Sequence, residues 1–234
     1  MLPLFMLEYL KMTKKERFQM IKLVVFDMDG TLTDTTTIIP TYVNRALMHY
    51  GAQPVPPKTV LSFVGYGGMD LLQNCIKVAG LDKTAEEIFP YYDSLFQADP
   101  AYTVTPYDGV KEMLIALKEK GIHRVVFSNR PHPQTLLITD ATLSGYLDEV
   151  YGHREGFPKK PDPTVLHTII KENNCKLDEC LYVGDMTFDM EVAKNAGVRS
   201  VGCPWGIGGL EQVRNADFLI EKPLDLLKVV DSIQ

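Results

Sequence analysis

The stretch "KLVVFDMDGTLTD" at residues 22–34 decides how this chain is organised. Residues 23–26 form an apolar run with the length and composition of a buried strand. Two acids, Asp27 and Asp29, follow this run one residue apart, and Gly30 comes next. Carboxylates placed this close together at the end of a strand repel one another. The remainder of the chain must therefore supply a reason for the pair.

Further short runs rich in β-branched and aromatic residues follow the first along the chain. They lie at 122–129, 180–185, 199–203 and 217–220, with helical patterns between them at 109–121 and 163–174. In the first helical pattern, apolar residues recur at helical spacing: Val110, Met113, Leu114 and Leu117. Strands that alternate with helices predict an α/β fold, with a Rossmann-like parallel-sheet core and helices on both faces.

Residues 35–102 break this alternation. They contain amphipathic helical segments and no convincing strand, which predicts a small all-helical cap inserted after the first strand. The expected domains are an N-terminal extension at 1–20, an α/β core at 21–34 and 103–234, and the cap at 35–102. We interpret this segment as an accessory helix or as an extension before a natural start near Met20.

The length, composition and net charge of the chain argue against several classes of protein. With 234 residues, 45% hydrophobic and 23% charged, the chain is typical of a globular protein. The net charge of −6 and the absence of a long basic block argue against a general nucleic-acid binder. No apolar stretch reaches the length of a membrane span, so we expect no membrane association. The four cysteines show no paired spacing, which favours reduced thiols and a cytoplasmic location.

Polar and charged side chains follow the predicted strands at the points where the strands end. Ligands of open parallel sheets bind beyond the carboxyl ends of the strands, so these side chains are expected to converge. They are Asp27, Asp29, Ser128, Asn129, Asp185 and Asp189, together with Lys159 and Lys160 from the loop before Pro161. Several acids held close together need a cation among them. Oxygen ligands of this kind are those that Mg²⁺ prefers, with a substrate phosphate completing its shell.

Four motifs in this order resemble those of the haloacid dehalogenase superfamily, and specifically its phosphoglycolate phosphatase-like branch with a helical cap. The motifs are DxDGT at 27–31, the strand-terminal Ser128, a lysine before proline, and GDxxxD at 184–189. The resemblance extends from Ile21 to the end of the chain and includes the helical insert, which is similar to that superfamily's cap. It implies a Mg²⁺-dependent phosphatase.

The resemblance also implies roles for the acids and for one lysine. Asp27 would attack phosphorus and form an aspartyl-phosphate, while Asp29 would protonate the leaving alkoxide and then deprotonate water. Mg²⁺ would bridge Asp27, the Asp29 carbonyl and Asp185, and Asp189 would position the lysine or a metal-bound water. Lys159 and Lys160 compete for the role of the active-site lysine, and the Lys-Pro order favours Lys160.

Phosphate and substrate binding are assigned in the same way. Residues expected at the phosphoryl oxygens or the rest of the substrate are Gly30, Ser128, Asn129 and Arg130, with Gly65 and Gly67 from a glycine-rich turn in the cap. Two residues depart from the pattern of the branch. Arg130 follows Ser-Asn where lysine is expected, and Met186 follows Gly-Asp where serine is usual. Arg130 keeps the cation but replaces a point charge with a planar fork of donors.

These features predict hydrolysis of a small phosphorylated metabolite, with 2-phosphoglycolate as the leading candidate. An inorganic pyrophosphatase and a β-phosphoglucomutase-like phosphotransferase remain alternatives within the enzyme class. The alternative from another class is a sensor that binds a phosphometabolite without turning it over. We expect a monomer or homodimer.

Overall fold

The computed structural model describes residues 20–233 of the protein. The N-terminal extension predicted for 1–20 therefore lies outside the described residues, except for Met20. Six parallel strands form the main sheet: β1 Leu23–Phe26, β4 His123–Pro131, β5 Glu149–His153, β6 Cys180–Gly184, β7 Arg199–Gly202 and β8 Phe218–Leu219. Across the sheet their order is β5-β4-β1-β6-β7-β8.

The register of the central strands brings their ends to one edge of the sheet. Phe26 of β1 is paired with Val126 of β4 on one side and with Val183 of β6 on the other. The residues after these three positions therefore emerge side by side. This is the edge at which an open parallel sheet binds its ligands.

Helices cover both faces of the sheet. After β3, which is Thr105–Pro106, they are α5 Val110–Glu119, α6 His132–Leu143, α7 Thr164–Glu172, α8 Thr187–Ala196, α9 Gly209–Val213 and α10 Asp225–Ser232, with a 3₁₀ turn at Leu177–Glu179. In β1, Val24 and Phe26 pack into one hydrophobic cluster, and Leu23 and Val25 pack into a second one on the opposite face. This alternation confirms the predicted α/β class with a sheet buried on both sides.

Four helices occupy the region between β2, which is Thr33–Asp34, and β3. They are α1 Ile38–His49, α2 Pro57–Leu61, α3 Gly68–Ala79 and α4 Ala85–Ala98, and no strand lies among the described residues of this region. Helix α4 begins with a capping box, in which the Thr84 N–H donates to Glu87 Oε2 at 2.8 Å. β2 and β3 pair antiparallel where the chain leaves and re-enters the sheet-forming part.

The boundaries between core and cap stay a prediction. The helices α1–α4 share one continuous hydrophobic cluster with one face of the main sheet, so burial alone does not separate two units. The short strands β2 and β3 were not predicted from the sequence, and neither was one strand of the main sheet. β5 lies at the edge of the sheet and is only half-buried, and its sequence "EVYGH" lacks the apolar run by which the other strands were identified. Within residues 20–233, no helix combines the length and the hydropathy that crossing a bilayer requires.

Candidate active site

Lys160 is the centre of a buried polar cluster at the carboxyl edge of the sheet. Its Nζ donates to Asp27 Oδ1 at 2.6 Å, to Asp189 Oδ1 at 2.7 Å and to the Tyr182 hydroxyl at 3.0 Å. Asp27 follows β1, Tyr182 lies in β6 and Asp189 lies in the first turn of α8. The lysine side chain is fully buried, as is that of Asp189. Residues that are far apart in sequence thus lie together at the carboxyl edge of the sheet.

Burial and mutual repulsion shift the pKa values of these groups. Burial raises the pKa of Asp27 to about 7, and the charges of Asp189 and Asp29 add to the rise while Lys160 opposes it. Burial likewise raises the pKa of Asp185, again with help from Asp189 and Asp27. Burial alone would lower the pKa of Lys160, but the adjacent Asp189 and Asp27 outweigh this effect and raise it.

The cluster carries more negative than positive charge. Carboxylate oxygens of Asp27, Asp185 and Asp189 lie within 4.8 Å of one another. Lys160 is the one ammonium group of residues 20–233 that bonds to any of these three carboxylates. When all three are ionised, two negative charges remain in excess, and a divalent cation would balance them. The donor chemistry therefore fits a hard cation with oxygen ligands.

The hydrogen bonds indicate which carboxylates are available to such a cation. Asp189 accepts three hydrogen bonds, because Oδ1 accepts from Lys160 and from the Tyr182 hydroxyl and Oδ2 accepts from the Met186 N–H at 3.1 Å. Asp27 and Asp185 make fewer contacts. Asp185 accepts from the Thr31 hydroxyl at 3.1 Å and from a loop amide, the Gly208 N–H, at 3.2 Å. Asp27 and Asp185 are thus the better candidates for metal ligands, and Asp189 for holding Lys160.

Gly30 occupies a position that no other residue could take without a rearrangement. Its φ of +90° lies in the left-handed region, and a Cβ there would lie 2.4 Å from Asp185 Oδ2. The glycine therefore allows the chain after β1 to pass directly beside the carboxylate of Asp185. The lack of a side chain at Gly30 thus explains in physical terms why the first motif contains a glycine.

Asp29 forms a separate, balanced ion pair with Arg130. The guanidinium donates through Nε to Asp29 Oδ2 and through its second terminal nitrogen to Oδ1, both at 2.9 Å. Both side chains are largely buried, with 12% of Asp29 and 7% of Arg130 exposed. The guanidinium that the sequence predicts at the substrate is therefore held in this structure by the neighbouring acid. Such bidentate pairs fix orientation as well as charge.

Ser128 and Asn129 both lie at the end of β4, next to Arg130. The Ser128 hydroxyl accepts from the Arg130 N–H at 3.1 Å. The Asn129 amide donates to the Gly65 carbonyl at 2.8 Å and to the Lys160 carbonyl at 3.2 Å, and its oxygen accepts from the Lys160 N–H at 2.8 Å. In this structure the Asn129 side chain is a link between three segments and not the expected phosphoryl donor. Both of its amide hydrogens are already used.

The glycine-rich turn of residues 65–68 closes one side of a cavity over this cluster. Gly65 and Gly67 line the cavity together with Asp27, Asp29 and Arg130. Both glycines have φ values near +100°, and a Cβ on Gly65 would lie 2.1 Å from the ring of Phe188. The turn therefore approaches the start of α8 as closely as a backbone without side chains permits. The cavity volume is about 40 Å³.

The two adjacent lysines have different surroundings. Lys160 is buried against Asp27, whereas Lys159 donates to Asp70 Oδ2 of α3 at 2.6 Å and is 30% exposed. The geometry places Lys160, and not Lys159, beside the first acid of the motif. Adjacent side chains point in different directions, which explains the difference. Lys160 points towards the carboxyl edge of the sheet, and Lys159 points towards α3.

Several polar residues at the site were not singled out from the sequence. Tyr182 bonds to Lys160, and Gln134 bonds to Arg130 and to Asp93 of α4. Tyr182 sits in an otherwise apolar strand two residues before the GDxxxD motif, and a buried hydroxyl in such a place needs a partner. That signal could have identified it. No local signal marks Gln134 or Asp93, because their partners come from distant parts of the chain.

Comparison with known proteins agrees with the geometry. Residues 24–203 match the model of the family described as haloacid dehalogenase-like hydrolase. A phosphoglycolate phosphatase of Aquifex aeolicus is 31% identical over 212 residues, which are 90% of this chain and 97% of that protein. A phosphoglycolate phosphatase of Pectobacterium atrosepticum is 26% identical, over 88% of this chain and 91% of its own.

Solved structures show the same fold. The crystal structure of a predicted phosphoglycolate phosphatase from Haemophilus somnus superposes with a TM-score of 0.83 at 24% identity, over 89% of this chain and 97% of that one. The resemblance noted in the motifs and the expected phosphatase class are both confirmed. The chain belongs to the haloacid dehalogenase-like hydrolase family, in its phosphoglycolate phosphatase-like branch.

Proposed function

We propose that this phosphatase hydrolyses a small phosphomonoester, with 2-phosphoglycolate as the leading substrate, through a phosphoryl group carried on Asp27. The observation that carries the proposal is the position of Asp27. Its carboxylate lines the cavity and is bonded to the buried Lys160, and Asp29, two residues further along the chain, lines the same cavity.

The reaction divides into two displacements at phosphorus. In the first, an Asp27 oxygen forms a bond to phosphorus as the ester P–O bond breaks, and Asp29 gives a proton to the leaving alkoxide. In the second, Asp29 takes a proton from water, whose oxygen attacks phosphorus and releases Asp27. Splitting the reaction in this way lets one carboxylate act as nucleophile and the other as acid and base.

Lys160 would prepare Asp27 for the first step. Its ammonium holds one Asp27 oxygen at 2.6 Å and thereby orients the carboxylate before the substrate arrives. It also offsets charge where a phosphate dianion must approach an anionic nucleophile. Asp189 and Tyr182 keep the lysine in place from the opposite side.

Mg²⁺ is the metal that best fits this donor set, with Asp27, Asp185 and the Asp29 carbonyl as its ligands. When bound, it would neutralise charge on the phosphoryl oxygens and on Asp27. Gly208 and Thr31 orient Asp185 through the hydrogen bonds described above.

The choice of substrate rests on the relatives and on the cavity. The relatives named above are phosphoglycolate phosphatases. The turn at residues 65–68 limits the space above Asp27, which favours a small substrate.

A panel of phosphate esters tests the proposal. The panel contains 2-phosphoglycolate, glycerol 3-phosphate, a sugar phosphate and pyrophosphate, each with Mg²⁺ and with a chelator. We expect Mg²⁺-dependent release of phosphate, with the highest kcat/KM for 2-phosphoglycolate. Equal and feeble turnover of all members would remove the glycolate assignment, and preferred turnover of pyrophosphate or transfer to a sugar would favour the alternative enzymes.

Asp27→Asn tests the nucleophile. We expect turnover to fall by at least about a thousandfold, because the amide cannot carry the phosphoryl group. Asp231→Asn is the matched control, since this carboxylate is half-exposed and pairs with the surface residue Lys120, away from the cavity. Acid-quenched wild-type protein should carry phosphate on the peptide that contains Asp27. Unchanged turnover in D27N would refute the assigned nucleophile, and binding without turnover in the wild type would favour the sensor.

A further inference from the structure

A chain of hydrogen bonds leads from Asp29 to the helix α4. Arg130 holds both oxygens of Asp29, and its remaining terminal nitrogen donates to Gln134 Oε1 at 3.2 Å. Gln134 Nε2 in turn donates to Asp93 Oδ1 at 2.7 Å. Asp29 follows β1, Gln134 lies in α6 and Asp93 lies in α4. A proton-transferring carboxylate is thus connected through two side chains to the helical insert.

Gln134 has a single way to make these contacts. It is 1% exposed, so its amide must find partners inside the protein. Arginine can only donate and an ionised carboxylate can only accept, so the amide oxygen must face Arg130 and the amide nitrogen must face Asp93. Its position in the hydrogen-bond chain is therefore fixed by chemistry as well as by packing.

Helix α4 also places aromatic side chains near the guanidinium of Arg130. The Arg130 Cζ lies 4.8 Å from the centre of the Phe96 ring, and the buried Tyr92 lines the same cavity. Tyr92, Asp93 and Phe96 lie within about one turn of the same helix, so they move together when α4 moves. The position of the Arg130 guanidinium therefore depends on how α4 packs on α6. The position of the Asp29 carboxylate, which Arg130 holds, depends on it as well.

We infer that Gln134 and Asp93 are positioning residues that couple the docking of α4 to the orientation of the Asp29 carboxylate. The inference rests on the proposed function, in which Asp29 protonates the leaving group. When α4 is docked, Gln134 and Phe96 fix the position of Arg130, and Arg130 in turn fixes the orientation of Asp29 at the cavity. Without the contact to Asp93, Gln134 and Arg130 lose their fixed position, and Asp29 loses the alignment that proton transfer requires.

The leaving group of the substrate distinguishes this role from general support of the fold. An alkyl phosphate needs a proton on its leaving oxygen, whereas p-nitrophenolate departs without one. The measured quantity is kcat/KM, because it reports the steps up to formation of the phosphorylated Asp27 and excludes the later attack of water. Misalignment of Asp29 should therefore slow the alkyl ester and leave the aryl ester nearly unchanged.

Two variants interrupt the chain at different points. In Asp93→Ala and in Gln134→Met, we expect kcat/KM for 2-phosphoglycolate to fall about tenfold and that for p-nitrophenyl phosphate to fall less than about twofold. Asp93→Asn keeps an oxygen acceptor for Gln134 and should recover most of the loss. Gln97→Ala is the matched control, since it removes the other hydrogen bond of Asp93 on the exposed side of α4 and spares the chain.

The double variant D93A/Q134M supplies the last test. If the two residues act in one chain, the double variant should lose no more than Q134M alone. Equal losses for both esters, a change in KM alone, or additive losses in the double variant would overturn the inference. Failure of the proposed function has a different signature, because wild-type protein would then release no phosphate or D27N would remain active. D93A stays informative if Q134M does not fold, since Asp93 is only half-buried.

Discussion

Two buried cations face the same cavity, and they are held in different ways. Lys160 bonds to Asp27, Tyr182 and Asp189, which all belong to the sheet or to the helix that follows β6. Arg130 bonds to Asp29 and Gln134, and its guanidinium lies against Phe96 from the helical insert. One cation is therefore placed by the sheet-forming part alone, while the other also depends on α4.

The difference separates the two tasks of the proposed reaction. The nucleophile Asp27 is oriented by groups that are in place once the main sheet has formed. The acid and base Asp29 is oriented by a group that α4 must hold. Attack on phosphorus would thus be prepared in advance, and proton transfer would depend on the docking of the insert above the substrate.

The charge balance of the two clusters differs as well. The Lys160 cluster has more carboxylates than cations, whereas Asp29 and Arg130 neutralise each other. Excess negative charge favours a metal ion, and a neutral bidentate pair favours fixed geometry. Lysine suits the first cluster because its ammonium can donate to three partners at once, and arginine suits the second because its planar fork matches one carboxylate.

Replacing Lys160 should have the largest effect. In Lys160→Met, Asp27 and Asp189 stay buried without their cation, so we expect kcat to fall about a thousandfold. For the same reason the free energy of unfolding should drop by about 3 kcal/mol. Activity assays and urea unfolding measure the two effects.

Lys159→Met is the matched control for this prediction. Lys159 pairs with Asp70 near the surface, and exposed pairs contribute about 0 to 1 kcal/mol. We therefore expect little change in stability and a change in kcat of less than about threefold. A larger loss of kcat in K159M than in K160M would assign the active-site role to the other lysine and undo the comparison.

Arg130→Lys should have an intermediate effect. The variant keeps the positive charge and loses the two parallel hydrogen bonds to Asp29. We expect kcat/KM for 2-phosphoglycolate to fall about thirtyfold, with a smaller loss for p-nitrophenyl phosphate. Steady-state kinetics with the two esters checks the ratio.

Arg124→Lys provides the control for a buried arginine as such. Arg124 forms a bidentate pair with Asp148 at the opposite end of β4, away from the cavity. This variant should lower stability and leave the ratio between the two esters unchanged. If R124K and R130K changed the ratio equally, the special position of Arg130 would be refuted.

Much of the candidate site could be predicted from the amino-acid sequence, because most of its residues directly follow strands. Asp27, Asp29 and Asp185 come after apolar runs, and parallel strands bring the residues at their carboxyl ends to one edge. The choice of Lys160 over Lys159 also agrees with the geometry. These residues could be placed from the sequence because their positions depend on local pattern and on one general property of parallel sheets.

The contacts that depend on tertiary packing were beyond prediction. Gln134 and Asp93 are 41 residues apart, and neither stands in a motif. The partners of Asn129 were expected at the substrate, yet they are backbone groups of the turn at Gly65 and of Lys160. The edge strand β5 escaped detection for a related reason, since its half-buried residues have no periodic pattern.

The smallest expected effect concerns the metal and the charge balance of the Lys160 cluster. Mg²⁺ at about five times its Kd should raise the free energy of unfolding by about 1 kcal/mol, measured by thermal or urea unfolding. Asp185→Asn should abolish most of this gain, because it removes a proposed ligand. Asp93→Asn should keep this gain in stability, because Asp93 is connected to Arg130 through Gln134 and not to the Lys160 cluster.

The gain from Mg²⁺ should also grow with pH. The pKa of Asp27 is raised from 3.8 to about 7, so its proton stabilises the metal-free fold at low pH, and this contribution is lost as the pH rises through 7. A metal ligand must be deprotonated, so protons compete with Mg²⁺ below that pH. Unfolding with Mg²⁺ and with a chelator, at about pH 6 and about pH 8, measures the difference. A gain that is equal at both pH values, or that survives in D185N, would place the bound cation outside the Lys160 cluster.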